Sequence, residues 1–228
     1  LILISGFSTA AKTLQVLIIG NSFSFTPSSE TDPQTPKFIA GLLESNKIDA
    51  TVDFLTHPGF TLEQHFNSGE IQHRLSLKKY DFVVIQPYSI EALELPACFG
   101  DLDLGPTGRT KFLEFGEKII SLIRKNGAEP MIFEPWTYNT GHAWLKNDFE
   151  CLRFADGKTW YGDSLEAYRS RLHAGYRMLH ERTDAEIIPV GDAWWSVRRD
   201  RRPGVPIEQL YENDNYHPTY FGAFLSPL

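Results

Sequence analysis

Late in the chain, Asp214-Asn215-Tyr216-His217-Pro218 places a carboxylate and an imidazole three residues apart on one short segment. A carboxylate so placed can fix the imidazole tautomer and support the imidazolium, which a general base requires. Such a base calls for a hydroxyl nucleophile, because a serine Oγ attacks poorly until its proton is taken. Ser22 has the best place for that part, in Gly20-Asn21-Ser22-Phe23-Ser24 directly after an apolar run. The chemistry these residues could do together is acyl transfer. Each fragment alone is common. Ser22 could be a turn or N-cap serine, His217 could cap a final helix begun by Pro218 and Thr219, and Asp192 is a rival to Asp214. The Ser22 segment also lacks the closing glycine of a G-x-S-x-G elbow.

The elements that must position these residues follow from hydropathy. Residues 14–19, 51–55, 82–85, 130–133 and 187–190 are short apolar runs with strand character. Between them lie helical patterns over 36–46, 62–77 and 110–126, the last ending in Arg124-Lys125-Asn126-Gly127, with cations in its final turn and a glycine placed to cap it. Asp163-Ser164-Leu165-Glu166 reads as a capping box opening a long helix through Leu179. Pro189 marks the fifth strand as an edge. Strands alternating with helices predict βαβ units, hence an α/β/α three-layer sandwich around a five-stranded, mainly parallel sheet.

In such a sheet, ligands bind beyond the carboxyl ends of the strands. That rim carries Gly20–Ser24 after the first strand, His57-Pro58-Gly59-Phe60 after the second and Gln86-Pro87-Tyr88-Ser89 after the third. Glu134-Pro135-Trp136 follows the fourth and Gly191-Asp192-Ala193-Trp194 the fifth. Long segments at 87–108 and 135–162 interrupt the rhythm at the same end of the sheet, and loops of that length are more often functional than idle.

Taken together, Gly20-Asn21-Ser22 after the first strand, Gly59 after the second, Gln86 after the third and Asp214-x-x-His217-Pro218 resemble the SGNH (GDSL-type) hydrolase superfamily over about residues 14–225. The resemblance implies a flavodoxin-like sandwich and a serine esterase. Ser22 would be nucleophile, His217 base and then acid, and Asp214 its partner. The oxyanion hole would use the backbone N–H of Ser22 and of Gly59 together with one side-chain donor. The chain departs from the family in having no Gly-x-Asn-Asp block after the third strand. Gln86 is the expected substitute, with Asn139 behind it. Neither a metal nor an organic cofactor is needed for this reaction. Asn21, His57, Trp136 and Asn139 are candidate substrate contacts. The substrate expected is a small-molecule or carbohydrate ester, deacetylation of a carbohydrate included. A non-catalytic carbohydrate-binding or structural relative on the same fold is the alternative, favoured by the missing block, and a lipase is a third reading.

Composition narrows the rest. The chain has 228 residues, 42% of them hydrophobic, enough for one well-cored domain over 12–228. A net charge of -7 gives no basic face for a polyanion, so nucleic acid is not expected. Arg198-Arg199-Asp200-Arg201-Arg202 reads as a solvated surface loop. Residues 1–11 are apolar and then small, as in the remnant of a secretory signal peptide, so export to a periplasm or the exterior is expected; a truncated first strand, with the protein cytoplasmic, is the other reading. No run suits a membrane helix. Cys98 and Cys151 leave room for one bridge. His65 and His73 lie eight apart on a helical pattern but without metal-ligand spacing. Trp136, Tyr138, Trp144, Phe149, Trp160 and Tyr161 crowd the segment after the fourth strand, either as its packing or as flat faces for a sugar ring or an acyl chain.

Overall fold

The computed structural model describes residues 12–24, 34–95, 108–146, 153–154, 156–200 and 206–225. The expectations placed on residues 1–11, Cys98, Cys151, Phe149, Arg201 and Arg202 lie outside the described residues.

Five strands form one sheet: β1 (Leu14–Gly20), β2 (Ala50–Thr56), β3 (Phe82–Ile85), β4 (Glu129–Phe133) and β5 (Glu186–Ile188). Their order is β2-β1-β3-β4-β5 and every pairing is parallel. Leu17 and Ile19 of β1 and Val83 and Ile85 of β3 are fully buried, and Ile18 and Val84 nearly so. Strands covered on both faces need no polar alternation, so their apolar runs were readable. β5 is an edge, as Pro189 predicted.

Helices cover both faces. α1 (Gln34–Ser45) packs on β2 and against the last helix, α8 (Tyr220–Leu225). α2 (Leu62–Asn67), α3 (Glu70–Leu77), α4 (Arg109–Asn126) and α6 (Leu165–Thr183) form a second group, joined through α4. α4 buries Phe112, Phe115, Ile119, Ile120 and Ile123 along one stripe and ends on Gly127 at φ 92°, a left-handed cap that a glycine adopts without Cβ strain. A one-turn α5 (Ala143–Lys146) lies in the segment after β4, and α7 (Val190–Asp200) follows β5.

Three expectations change. The helical stretch at 62–77 is two helices, broken at Ser68-Gly69 where Gly69 takes φ 76°. The long helix starts one residue later than the capping-box reading placed it. Ser164 Oγ accepts from the Ala167 N–H, while Asp163 sits at φ 67° and accepts from Thr159. The reciprocal capping box is instead at Thr61 and Gln64, opening α2. Val190 belongs to a helix that buries Val190, Trp194 and Val197, and the first part of the arginine run lies in its last turn.

Candidate active site

Ser22 opens a single 3₁₀ turn, Ser22–Ser24, directly beyond β1. Asn21 organises it. Its Oδ1 accepts from the Phe23 N–H at 3.2 Å, its carbonyl accepts from the Ser24 N–H at 2.9 Å, and its Nδ2 donates to the Phe60 carbonyl at 3.2 Å. Gln86, from the end of β3, grips the same turn. Its Oε1 accepts from the Asn21 N–H (3.2 Å) and from Ser24 Oγ (2.9 Å), and its Nε2 donates to Asn21 Oδ1 (2.8 Å) and the Pro87 carbonyl (3.2 Å). Gly20 is required here by space, since a Cβ would stand 2.6 Å from Gln86 Oε1 and 2.8 Å from Ser24 Oγ.

The second wall is the turn after β2. His57 follows β1 by donating its N–H to the Gly20 carbonyl at 3.0 Å, and the Phe60 N–H closes the turn onto the His57 carbonyl at 3.2 Å. Pro58 and Gly59 occupy the corner with Gly59 at φ 75°, the arrangement a type II turn needs. The backbone N–H groups of Ser22 and Gly59 have no acceptor among the described residues. His65 of α2, fully buried, donates Nε2–H to the same Gly20 carbonyl at 2.9 Å. Burial pulls its pKa down to about 4, against the opposing Gly20 bond and with help from nearby His57, so the ring is neutral.

His217 arrives on a closed loop. An antiparallel bridge between Tyr211 and Pro218 joins its ends, and the Glu212 N–H donates to the His217 carbonyl at 2.9 Å. Asp214 Oδ1 accepts the N–H groups of Tyr216 and His217, both at 3.0 Å, and Oδ2 lies 2.7 Å from His217 Nδ1. Partial burial works to raise the Asp214 pKa, but the ring and backbone hydrogen bonds outweigh it and hold the carboxyl below its ordinary value. An ionised carboxylate only accepts, so a ring hydrogen is on Nδ1, and in the neutral ring the lone pair is then on Nε2. Nε2 is buried and makes no hydrogen bond among the described residues. The His217 ring meets Phe23, the neighbour of Ser22, edge-on at 5.9 Å. Asp192, the rival carboxylate, is instead paired with Arg169.

The segment after β4 staples this loop to the sheet. Trp136 Nε1 donates to the Tyr216 carbonyl (2.9 Å), the Asn139 N–H donates to the Asn215 carbonyl (2.8 Å), and Asn139 Nδ2 donates to Asn215 Oδ1 (3.1 Å). Tyr211 Oη donates to the Thr137 carbonyl at 2.8 Å. Arg198 donates to Asn139 Oδ1 at 2.8 Å, so it is a support of this loop and not the free surface cation expected of it.

Four expected contacts therefore take different places. Gln86 is 2% exposed and its amide hydrogens go to Asn21 and Pro87, so its N–H groups are not free to point into an oxyanion hole. Asn139 is engaged by Asn215 and Arg198. Asn21 is buried in the Ser22 turn, and Trp136 is buried in a stack, 4.6 Å from Phe23 and 3.9 Å from Trp194. All four support the Ser22 turn or the His217 loop. His57 stays at the rim, part-exposed, its Nε2 2.9 Å from Glu70. Of the crowded aromatics, Trp136, Tyr138 and Trp160 are core, while Trp144 and Tyr161 are half-buried. Half-buried Tyr88 and Tyr216 also stand at the rim, with Tyr216 3.9 Å from the His217 ring. Among the described residues no three His, Cys, Asp or Glu side chains cluster as a metal site, and no helix is long and apolar enough to cross a membrane. Sequence reasoning named His65 without its partner, the Gly20 carbonyl, and missed Glu91, whose partners lie on other segments.

No family model matches the chain, and no curated protein matches it by sequence. Solved structures do match in fold. A protein of Slackia heliotrinireducens described as an SGNH hydrolase is 20% identical, with a TM-score of 0.68 over 95% of this chain and 96% of its own. The lipase/acylhydrolase of Enterococcus faecalis is 14% identical, with a TM-score of 0.64 over 94% and 92% of the two chains. The acetyl xylan esterase AlAXEase is 13% identical, with a TM-score of 0.64 over 94% and 96%. What the chain shares with these structures is the fold, a parallel sheet with helices on both faces that spans nearly all of each chain, the fold of proteins described as an SGNH hydrolase, a lipase/acylhydrolase and an acetyl xylan esterase.

Proposed function

We propose that the protein is a serine esterase in which Ser22, His217 and Asp214 form the triad. The observation that carries this reading is the Asp214–His217 pair at 2.7 Å, which leaves the Nε2 lone pair of a ring beside the Ser22 turn without a partner. Ser22 Oγ attacks the ester carbonyl carbon while its proton passes to His217 Nε2. The tetrahedral oxyanion is received by the N–H groups of Ser22 and Gly59. The alcohol leaves with the proton from Nε2, and water repeats the cycle on the acyl-enzyme. The Ser22–His217 hydrogen bond is open in this conformation, as it often is before substrate binds.

For the substrate we favour an acetylated carbohydrate. Tyr216, 3.9 Å from the His217 ring, and the part-exposed Tyr88 and Trp144 offer flat faces suited to the apolar face of a sugar ring, Trp144 being linked to Tyr216 through the His142 ring, and an acetyl xylan esterase is among the proteins of similar fold. Export of the chain is proposed with this reading, on the apolar-then-small pattern of residues 1–11.

The test is labelling with a fluorophosphonate, together with hydrolysis of p-nitrophenyl acetate and acetylated xylo-oligosaccharides. Both are expected in the wild type and lost in Ser22→Ala. Labelling that persists in Ser22→Ala overturns the nucleophile. A well-folded wild type that hydrolyses nothing beyond that background favours the non-catalytic relative.

A further inference from the structure

The loop after β3 buries the four residues 90–93, three of them apolar. Ile90, Ala92 and Leu93 are fully buried, and so is Glu91 between them. A carboxyl group in such a place costs stability unless its oxygens are well used. They are. Glu91 Oε1 and Oε2 share the Leu62 N–H at 3.0 and 3.2 Å, and Oε2 also accepts the Tyr88 N–H at 3.0 Å. Leu62 opens α2, two residues beyond Phe60 in the turn that carries Gly59. Tyr88 stands two residues beyond Gln86. Because the Phe60 carbonyl takes Asn21 Nδ2 and Gln86 takes the Asn21 N–H, these contacts close a ring. It runs from Glu91 through Leu62 and Phe60 to Asn21, and back through Gln86, Pro87 and Tyr88. Asn21, the residue before Ser22, lies on that ring.

We infer that Glu91 is a positioning residue that ties the turn after β2 to the loop after β3, fixing the Gly59 N–H and the Asn21–Ser22 backbone relative to each other. This rests on the proposed serine esterase. Glu91 itself is sealed from substrate, because α6 lies directly over the loop: a Cβ on Gly175 would stand 2.1 Å from the Ala92 carbonyl. Around it, Glu63 of α2, itself paired with Lys111 of α4, and the buried phenol of Tyr176 of α6 are the ionisable groups, and no cation pairs with it among the described residues. Burial pushes its pKa up to about 8, against the two backbone hydrogen bonds. The carboxylate accepts N–H groups more strongly than the acid, so the ring tightens as Glu91 ionises.

The experiment compares wild type and Glu91→Gln, which keeps the shape and one acceptor. In Ser22-dependent p-nitrophenyl acetate hydrolysis above pH 8, where Glu91 of the wild type is ionised, the variant is expected to lose about 10- to 100-fold in kcat, as a small misplacement does, with KM little changed. Wild-type kcat is expected to rise around pH 8 as Glu91 ionises, and that rise should be absent from the variant. A folded Glu91→Gln protein with wild-type kcat and pH profile overturns the proposal. A second arm uses the wild type alone and needs no turnover. The amide resonances of Leu62, Tyr88 and Gly59 should shift together with the titrating Glu91 carboxyl carbon, and silence at Tyr88 or Gly59 overturns the tie. That arm decides the matter if Glu91→Gln does not fold. It also does so if the wild type proves inactive, an outcome that would sink the esterase reading separately.

Discussion

The indole N–H of Trp136 is bonded to the carbonyl of Tyr216, the residue immediately before His217. Through that bond a fully sheltered ring, stacked between Phe23 and Trp194, holds the Ser22 turn and the His217 loop at once. Trp136→Phe keeps an aromatic face but leaves the Tyr216 carbonyl without its donor. The expected cost is about 1–3 kcal/mol in stability, read from urea denaturation. A roughly tenfold loss of kcat should accompany it, since displacement of the base costs rate. Equal kcat in a destabilised variant would show that the loop holds its place without this anchor.

Gln86 and Gly20 should behave as one unit. Gln86→Ala removes the acceptor for the Asn21 N–H and Ser24 Oγ, and a loss of about 100-fold in kcat is expected from the displaced turn. Gly20→Ala drives a methyl group into Gln86 Oε1 and should do nearly the same. Because both act on one contact, the double variant should be little worse than either alone. Kinetics of the three proteins measure this. Additive losses would mean that the two residues act separately.

Asp214→Asn should fold normally yet lose about 10³- to 10⁴-fold in kcat, because an amide can donate to Nδ1 and so stabilise the wrong tautomer. The same substitution at Asp192 should leave kcat within about threefold, as expected for an exposed ion pair away from the base. A large loss at Asp192 with a small one at Asp214 would exchange their roles.

Acid should loosen the fold through His65. Its folded pKa of about 4 lies below the ordinary value of 6.5, so between those limits the unfolded chain binds a proton that the folded chain refuses. Stability is then full above 6.5 and falls as pH drops toward 4. His142, lowered by burial to about 4, acts in the same direction over the same window. Thermal denaturation across this range should show a shallower fall in His65→Gln, whose amide can still reach the Gly20 carbonyl. An unchanged slope would clear His65 of that part.

The sheet was legible because buried parallel strands leave continuous apolar runs, and α4 because Phe112 to Ile123 repeat at helical spacing. The start of α7 was not. Ile187-Ile188-Pro189-Val190 reads as one apolar run, and only the recurrence of Val190, Trp194 and Val197 separates the helix from the strand. At the candidate site, Ser22, Gly59, Asp214 and His217 can be proposed from sequence because the chemistry considered needs those residue types. The direction of the Gln86 amide did not stand out. An amide both donates and accepts, and which end it spends depends on Asn21 and Ser24, far away in sequence. Glu91 was illegible for a related reason, since its partners are backbone N–H groups that every residue but proline supplies.

The loop closed by Tyr211 and Pro218 has a consequence for how the protein comes into being. Of the proposed triad, Ser22 is made with the first strand and His217 only after every strand of the sheet. During synthesis, a chain with all of its sheet assembled would still be inert until that loop docks on Trp136 and Asn139. Onset of esterase activity should thus be the last signal to appear in refolding, later than the recovery of helix and of buried tryptophan fluorescence.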